Sequence, residues 1–598
     1  MRDISVDRFF DRARHHGKSV AYHAKIKGQY VATPWEKYGE NVAHFALGLI
    51  ALGLKEGQCV GVLSFNRPEW TTSCIATQAA GGISVGVYSS SSADEIKHVL
   101  EHSEAPFLIV ENGKRWREQV ESVLHELPLL QKIILMEPDD VIEEGRIMTY
   151  SQVMELGRSQ SKKALEERIK GINPEATATL IYTSGTTGAP KAVMLSHRAI
   201  NWTVQSAVTL LKVGQGDSLV SYLPLAHVAE QMFTVYAPSY SGLCIYFAES
   251  LEALPENLKE VQPTALFGVP RIYEKIYDKV NEKLAATKGF KAILLKWARS
   301  VSTDYWELHH RNAPISSLLC MQYNLAKKLI FNKLKPLLGL GRARLCISGA
   351  APISQEITRF FLSLDIPIYE VYGQSEDCGP TTFNIPKATR LGTVGRPLPG
   401  VQLKIAEDGE ILVRGPHLFS GYYKDQAATD ETLKAGWLCS GDVGQIDKEG
   451  YLRITDRKKD LLITAGGKNV SPQNLEAMLK QIPLVSLAVV IGDQKKYLVA
   501  LLTPNQENLL EFAEKRGIRN QNISDLVQHR LVRQEIQNAI EAINQKVAPV
   551  EQIKKFLYLS KDFTVENGEL TPTLKIKRKV INVRYQDSIE SMYGAAAF

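Results

Sequence analysis

Short, nearly unbroken apolar runs, each set off by an amphipathic stretch, recur along the N-terminal half of the chain and restrict its fold more than any other feature. "CVGVLSF" (59–65), "ISVGVYSS" (83–90), "PFLIVE" (106–111) and "KIILME" (132–137) read as strands buried on both faces. Helical periodicity lies between and before them. "ADEIKHVLEHSE" (93–104) is amphipathic, and "YGENVAHFALGLIALGL" (38–54) puts Val42, Phe45, Ala46, Leu49 and Ile50 on one helical face. The rhythm resumes with "ATLIYT", "SLVSYLPL", "CIYFAE", "ALFGVP" and "RLCISGAAP". Such alternation predicts βαβ units and an α/β fold of parallel-rich sheets covered by helices. In open sheets of this kind ligands gather at the carboxyl ends of the strands.

The pattern changes twice further on. From Arg271 to about 341 it turns to long helices ("RIYEKIYDKVNEKLAA", "NLAKKLIFNKLKPLLGL"), with fifteen Lys or Arg against five Asp or Glu between Arg271 and Arg344. A basic helical insert is commonly a solvated face, and contact with anionic lipid headgroups is the alternative. From about Val394 the character becomes β, with "VQLKIAEDGEILVRG" reading as a hairpin around Asp408–Gly409. The expected organisation is a large domain over 1–457, a hinge at 458–460 near Lys458 and Lys459, and a small, mobile α+β domain over 461–598. At 598 residues the chain is long enough for three or four domains. Its net charge of +6 is too small to require nucleic acid, and its seven cysteines form no close pairs. The N-terminus lacks the apolar core of a signal peptide, and no run approaches the length of a spanning helix. A soluble, cytoplasmic protein is expected, with peripheral contact on the cytosolic membrane face through the insert as the alternative.

"IYTSGTTGAPKAVMLSH" (181–197) packs two glycines, a proline and a lysine behind an apolar run. Two readings fit. One is a loop that turns backbone N–H groups, hydroxyls and Lys191 toward phosphate, and the other is a strand-to-helix turn with a solvated lysine. The spacing excludes the standard P-loop, which needs four residues between its first glycine and a Gly-Lys pair. Four further stretches carry chemistry-bearing side chains. These are "SYLPLAHVAEQ" with His227, "YEVYGQSEDCGP" with Tyr372, Ser375 and Glu376, "GWLCSGDVGQIDKEGYLRITDRKKD" with Asp442 and Arg457, and "NGELTPTLKIKRK" with Lys575. Each alone has an ordinary explanation as a turn residue, a cap or a solvated charge.

Together, in this order, they resemble the motifs of the adenylate-forming superfamily of acyl-CoA synthetases, luciferases and non-ribosomal adenylation domains. "YTSGTTGAPK" resembles its phosphate motif, "YGQSE" its second core motif and "GWLCSGD…GYLRITDRKKD" its third. The long third motif and "VPRIYEKI" before a helical insert resemble fatty acyl-CoA synthetases of the long-chain class. Ser375 with "EDCGP" is similar to the bubblegum branch. Cys439 and Ser440 stand where His and Thr are more usual.

The resemblance implies that ATP, a fatty acid and coenzyme A are converted to acyl-CoA, AMP and pyrophosphate through an acyl-adenylate. It implies roles for particular residues. Thr183, Ser184, Gly185, Thr186, Thr187, Gly188 and Lys191 hold the β- and γ-phosphates. Thr183 and Glu376 hold Mg²⁺. Ser375 meets the α-phosphate, Gly373 and Gln374 are among the ATP/AMP contacts, and Tyr372 lies beside adenine. Gly349 and Ala350, in "SGAAP", wall the nucleotide from the acyl pocket. Asp442 and Arg457 meet the ribose. Lys575 steadies the carboxylate and α-phosphate, and His227 positions the acid. Rotation at Lys459 brings Gly466 and Gly467 to the pantetheine of coenzyme A. A ligase that hands the adenylate to a carrier protein, and an inactive lipid-binding scaffold, are the rival readings.

Overall fold

The computed structural model describes residues 4–137, 145–183, 190–285, 287–465, 468–519, 522–565, 567–571 and 575–594. Two sheets form the body. The first runs in the order Gly421–Tyr422, Lys191–Ser196, Thr177–Thr183, Ile83–Val87, Cys59–Leu63, Phe107–Asn112, Lys132–Glu137, Ile147–Thr149. From Thr177–Thr183 to Ile147–Thr149 the pairing is parallel. Cys59–Leu63 and Ile83–Val87 are buried at every position. Helices over both faces leave no solvated side, which is why these runs are continuous rather than alternating.

The second sheet has nine strands. Its parallel centre runs Ile368–Tyr372, Leu345–Ser348, Ala265–Gly268, Ser218–Ser221, Cys244–Phe247. One edge is the N-terminal hairpin Val20–Ile26 and Gln29–Pro34, which joins through Tyr22 opposite Ile245. Lys27 and Gly28 turn that hairpin with φ of 50° and 78°, the left-handed pair that a two-residue hairpin requires. Between the sheets, helix Trp35–Ala51 buries Val42, Phe45, Ala46 and Leu49.

Lys191–Ser196 is itself a strand, antiparallel to Thr177–Thr183, with Thr183 opposite Lys191. The glycine-rich loop therefore joins two antiparallel strands. Its reading as a strand-to-helix turn is corrected, because Ala192, Val193 and Leu195 bury against the sheet before helix His197–Leu211 begins.

Gln402–Ile405 and Glu410–Arg414 form a hairpin with Gly409 at φ 85°, part of a five-stranded sheet with Trp437–Ile446 and Leu452–Arg457. The C-terminal region holds a three-stranded sheet, Val485–Ile491, Leu498–Pro504 and Ile553–Tyr558. Alternate residues of its first strand feed separate cores, Ala488 and Val490 on one face, Leu487 and Val489 on the other.

Candidate active site

Segments far apart in sequence converge on one cleft of about 2340 Å³ between the body and the C-terminal region. Its polar end is built around Asp442. The antiparallel strands Trp437–Ile446 and Leu452–Arg457 set Asp442 directly opposite Arg457, with Arg457 Nε 3.2 Å from Asp442 Oδ1. The Tyr372 hydroxyl donates to Asp442 Oδ2 at 2.8 Å, and Gln374 Nε2 donates to the same oxygen at 2.6 Å. Tyr372 closes a parallel strand, so this carboxylate sits at the carboxyl end of the sheet.

The turn after Tyr372 is tightly held. A Cβ at Gly373 would lie 1.4 Å from the Gly379 carbonyl oxygen, so only glycine fits. Asp377 accepts from the Gln374 N–H at 2.6 Å and from the Thr381 hydroxyl at 2.7 Å. Burial pushes its carboxyl well above the usual range. This internal brace offers Gln374, Ser375 and Glu376 to the cleft.

Glu376 Oε1 accepts from the Tyr422 hydroxyl at 2.8 Å, and the Lys191 ammonium lies 4.9 Å from the centre of the same ring. Tyr422 thus joins the two charged residues, and sequence reasoning missed it. It arrives on the short strand Gly421–Tyr422, which pairs with Val193 and Met194 just after the loop. Nothing in "SGYYKD" announces that pairing.

Thr183 and Lys191 both line the cleft, and the Thr183 hydroxyl donates to the Lys191 carbonyl at 3.4 Å. A Mg²⁺ ion on nucleotide phosphates takes one or two carboxylates and otherwise phosphate oxygens and water. Glu376 with the Thr183 hydroxyl fits that demand. Among the described residues no group of three His, Cys, Asp or Glu side chains forms a closed cage.

Lys575 enters from the C-terminal region. Burial, and after it the positive charge of Arg457, lower its ammonium pKa to about 8, with Asp442 and Glu376 partly offsetting both. His227, at the N-terminus of a short helix, accepts the Ala229 N–H on Nδ1 at 3.2 Å. That bond leaves the ring proton on Nε2. Burial, with the Lys575 charge adding to it, lowers the imidazole to about 3, so the ring is neutral.

Beyond His227 the cleft becomes apolar. Val204, Val208 and Leu211 line it from one face of helix His197–Leu211, and Leu243, Phe267 and Ile347 line it from the sheet side. From Val204 to Leu211 the limb runs about 10 Å.

Ala350 (φ 68°), Gly373 and Lys459 also line the cleft. Gly349, between Ser348 and Ala350, is pressed against Val371, where a Cβ would lie 2.6 Å from its side chain. Ser184, Gly185, Thr186, Thr187, Gly188, Gly466 and Gly467 lie outside the described residues. The C-terminal region is held over the cleft by Arg271, which donates to Ser486 Oγ at 2.9 Å, and by Lys480, which donates to Glu274 at 2.7 Å.

Residues 9–423 match the family described as AMP-binding enzyme, and residues 459–597 match the AMP-binding enzyme C-terminal domain. The chain is 37% identical to the long-chain-fatty-acid–CoA ligase ACSBG2 of Xenopus laevis, over 98% of this chain and 83% of that protein. It is 35% identical to the long-chain-fatty-acid–CoA ligase FadD15 of Mycobacterium bovis, over 98% and 96%. Its fold matches the crystal structure of the anthranilate CoA ligase AuaEII in complex with anthranoyl-AMP, with a TM-score of 0.73, 18% identity, and coverage of 99% of this chain and all of that one.

Proposed function

We propose that this chain, which belongs to the AMP-binding enzyme family, is a long-chain fatty acid–CoA ligase that works through an acyl-adenylate, with ATP, Mg²⁺ and coenzyme A. The observation that carries the reading is the continuity of one cleft. Its charged end joins Lys191, Glu376, Asp442, Arg457 and Lys575, and its other end is lined by apolar side chains, with His227 between the two.

The chemistry follows from charge. A carboxylate resists attack by a thiolate, so its oxygen is first joined to the α-phosphorus of ATP and pyrophosphate leaves. The thiolate of coenzyme A then attacks the acyl carbonyl, and AMP leaves. The first step brings a carboxylate toward a polyphosphate, and stabilising the negative charge is the main task. Lys575 supplies positive charge at that point, and Lys191 supplies it toward the leaving phosphates. Glu376 and the Thr183 hydroxyl would hold Mg²⁺, which when bound would offset phosphate charge. The neutral His227 has its Nε2–H available to orient the acid's carboxylate.

Asp442 suits the ribose hydroxyls, since an ionised carboxylate only accepts. It already takes hydrogen bonds from Tyr372 and Gln374, so the ribose joins or displaces a contact that holds the carboxylate in place. In this role Tyr372 orients Asp442 through its hydroxyl as well as lining the cleft.

Each methylene moved from water into the apolar limb contributes about 0.8 kcal/mol, so a long tail adds much of the affinity. The second step needs room for coenzyme A where Lys575 stands. Rotation of residues 461–598 about Lys459 and Asp460 provides it, separating a large domain over 1–457 from a small one. No helix among the described residues is long and apolar enough to cross a membrane. Peripheral contact, through the basic helical insert, is part of this reading.

The test is thioester formation by purified protein with ATP, Mg²⁺, coenzyme A and saturated acids from short to very long. Turnover that rises with chain length into the long-chain range is expected. AMP release that ignores coenzyme A, or no turnover at any length, contradicts the reading.

A further inference from the structure

We propose that the helical hairpin between Phe290 and Leu337 is a docking surface for an anionic lipid bilayer. Helix Phe290–His310 packs antiparallel against a helical stretch made of Ser317–Ala326, a π-helical turn Lys327–Phe331, and Asn332–Leu337. The seam between them is closed. Tyr305 stacks on Tyr323 with ring centres 3.8 Å apart, and Ala298, Val301, Ala326 and Phe331 are buried.

The face toward the body is equally committed. Trp306 Nε1 and the Tyr323 hydroxyl both donate to Asp365, at 2.9 and 2.6 Å, and Lys335 pairs with the same carboxylate at 3.2 Å. Ser302 donates to the Leu362 carbonyl at 2.8 Å. The hairpin is therefore a rigid, well-anchored element rather than a loose appendage.

Among the described residues, no such partner surface covers its outer face. Leu318, Met321, Leu325 and Leu329 recur at helical spacing, from 64% exposed at Met321 to 40% at Leu329. On the other helix Phe290 and Ile293 are 76% and 68% exposed, and the antiparallel packing sets them toward the Leu337 end, where Leu337 is 68% exposed. Among the described residues, these are seven of the eighteen exposed large apolar side chains, within 48 of 598 residues. A concentration of this kind marks an interaction surface, whereas single exposed residues do not.

Charge selects the occupant. Lys291 and Lys296 on the first helix, and Lys327, Lys328 and Lys333 on the second, are exposed between the apolar side chains. Apolar side chains that enter the acyl boundary, with lysines that reach back to headgroups, are the pattern of an interfacial helix on an anionic leaflet. A second copy of the chain fits poorly, because a two-fold contact would set these lysines against one another. The inference rests on the fatty-acid reading for its purpose, since a long-chain acid partitions into the bilayer from which the enzyme would draw it.

The test uses the full chain in flotation with vesicles of phosphatidylcholine alone and of phosphatidylcholine with phosphatidylglycerol. Wild type is expected to float with the anionic vesicles and to be released by added salt. Leu318→Ser/Met321→Ser/Leu325→Ser and Lys327→Glu/Lys328→Glu/Lys333→Glu are each expected to lower vesicle binding about tenfold or more. The second variant changes only exposed lysines, so it keeps the test valid if the first fails to fold. Both variants are expected to turn over a detergent-dispersed fatty acid at the wild-type rate, so failed docking is distinguished from failed catalysis. Equal flotation of wild type and both variants, or no flotation of wild type, overturns the proposal. So does a wild-type dimer in sedimentation that the serine variant converts to monomer without any lipid.

Discussion

Arg457 and Asp442 face each other across two antiparallel strands at 3.2 Å, and the Tyr372 hydroxyl holds the other carboxylate oxygen at 2.8 Å. The pair presents an oriented acceptor to the ribose. Asp442→Ala removes that acceptor and leaves Arg457 without its carboxylate. Each charged hydrogen bond lost costs about 1.5–3 kcal/mol, so kcat/KM for ATP is expected to fall about 10- to 100-fold. Steady-state kinetics with ATP varied, beside Tyr372→Phe with a smaller loss, checks this.

The Lys575 ammonium titrates near 8 in this arrangement, against 10.5 ordinarily. A lowered lysine pKa means that the charged form is disfavoured when the C-terminal region is closed over the cleft. The penalty is fully present below about pH 8 and fades as pH rises toward 10.5. It is no more than about 3 kcal/mol, less whatever solvent screening removes. Anionic nucleotide reverses it. Adenylation needs the ammonium, so kcat/KM is expected to fall as pH rises through about 8. The corresponding limb in kcat is expected at higher pH, because bound phosphates favour the charged lysine. A single limb at the same pH in both parameters would contradict this.

Lys458 belongs to the body. Its N–H donates to the Gly441 carbonyl at 2.8 Å, and its ammonium pairs with Asp408 at 2.6 Å and Glu410 at 2.8 Å. The pivot proposed above therefore begins at Lys459. Lys459→Pro fixes φ there, and it is expected to leave acyl-adenylate formation near wild type while slowing thioester formation about tenfold or more. Rapid-quench measurement of both half-reactions decides it. Equal rates for wild type and variant in the second step would move the pivot elsewhere.

Arg271 bonds to Ser486 across the closed cleft at 2.9 Å and approaches Asp562 at 3.9 Å. Arg271 and Asp562 are each about a third exposed, so Arg271→Ala removes about 1 kcal/mol of closure. Adenylation is expected to slow up to about fivefold, with the thioester step from supplied acyl-adenylate not slowed. The two half-reactions assayed separately test it. A slower thioester step would show that Arg271 serves the other orientation.

Periodicity made the body's sheets legible, because a strand covered on both faces must be apolar throughout. "CVGVLSF" and "ISVGVYSS" needed no tertiary knowledge. The N-terminal hairpin around Lys27–Gly28 was not anticipated, and its place at the sheet edge depends on pairing with Ile245, more than 200 residues away. Among site residues, Asp442, Glu376 and Lys575 stood out because motif order marked them. Tyr422 did not, since its value lies in reaching both Glu376 and Lys191 through a two-residue strand. Asp377 escaped for a related reason. It acts on the backbone of its own turn, and an acidic residue in a turn reads as ordinary solvated charge until its burial is seen. The exposed apolar face of the helical hairpin was also hidden, because amphipathic spacing does not say which face the body covers.

The most direct measurement is fatty-acid-dependent exchange of labelled pyrophosphate into ATP, run on wild type and Lys575→Ala without coenzyme A. Wild type is expected to exchange label only when a long-chain acid is present, and the variant to lose about 10²–10³ of that rate. Exchange that proceeds without the acid, or that survives undiminished in Lys575→Ala, would contradict a cleft organised to activate a carboxylate on ATP.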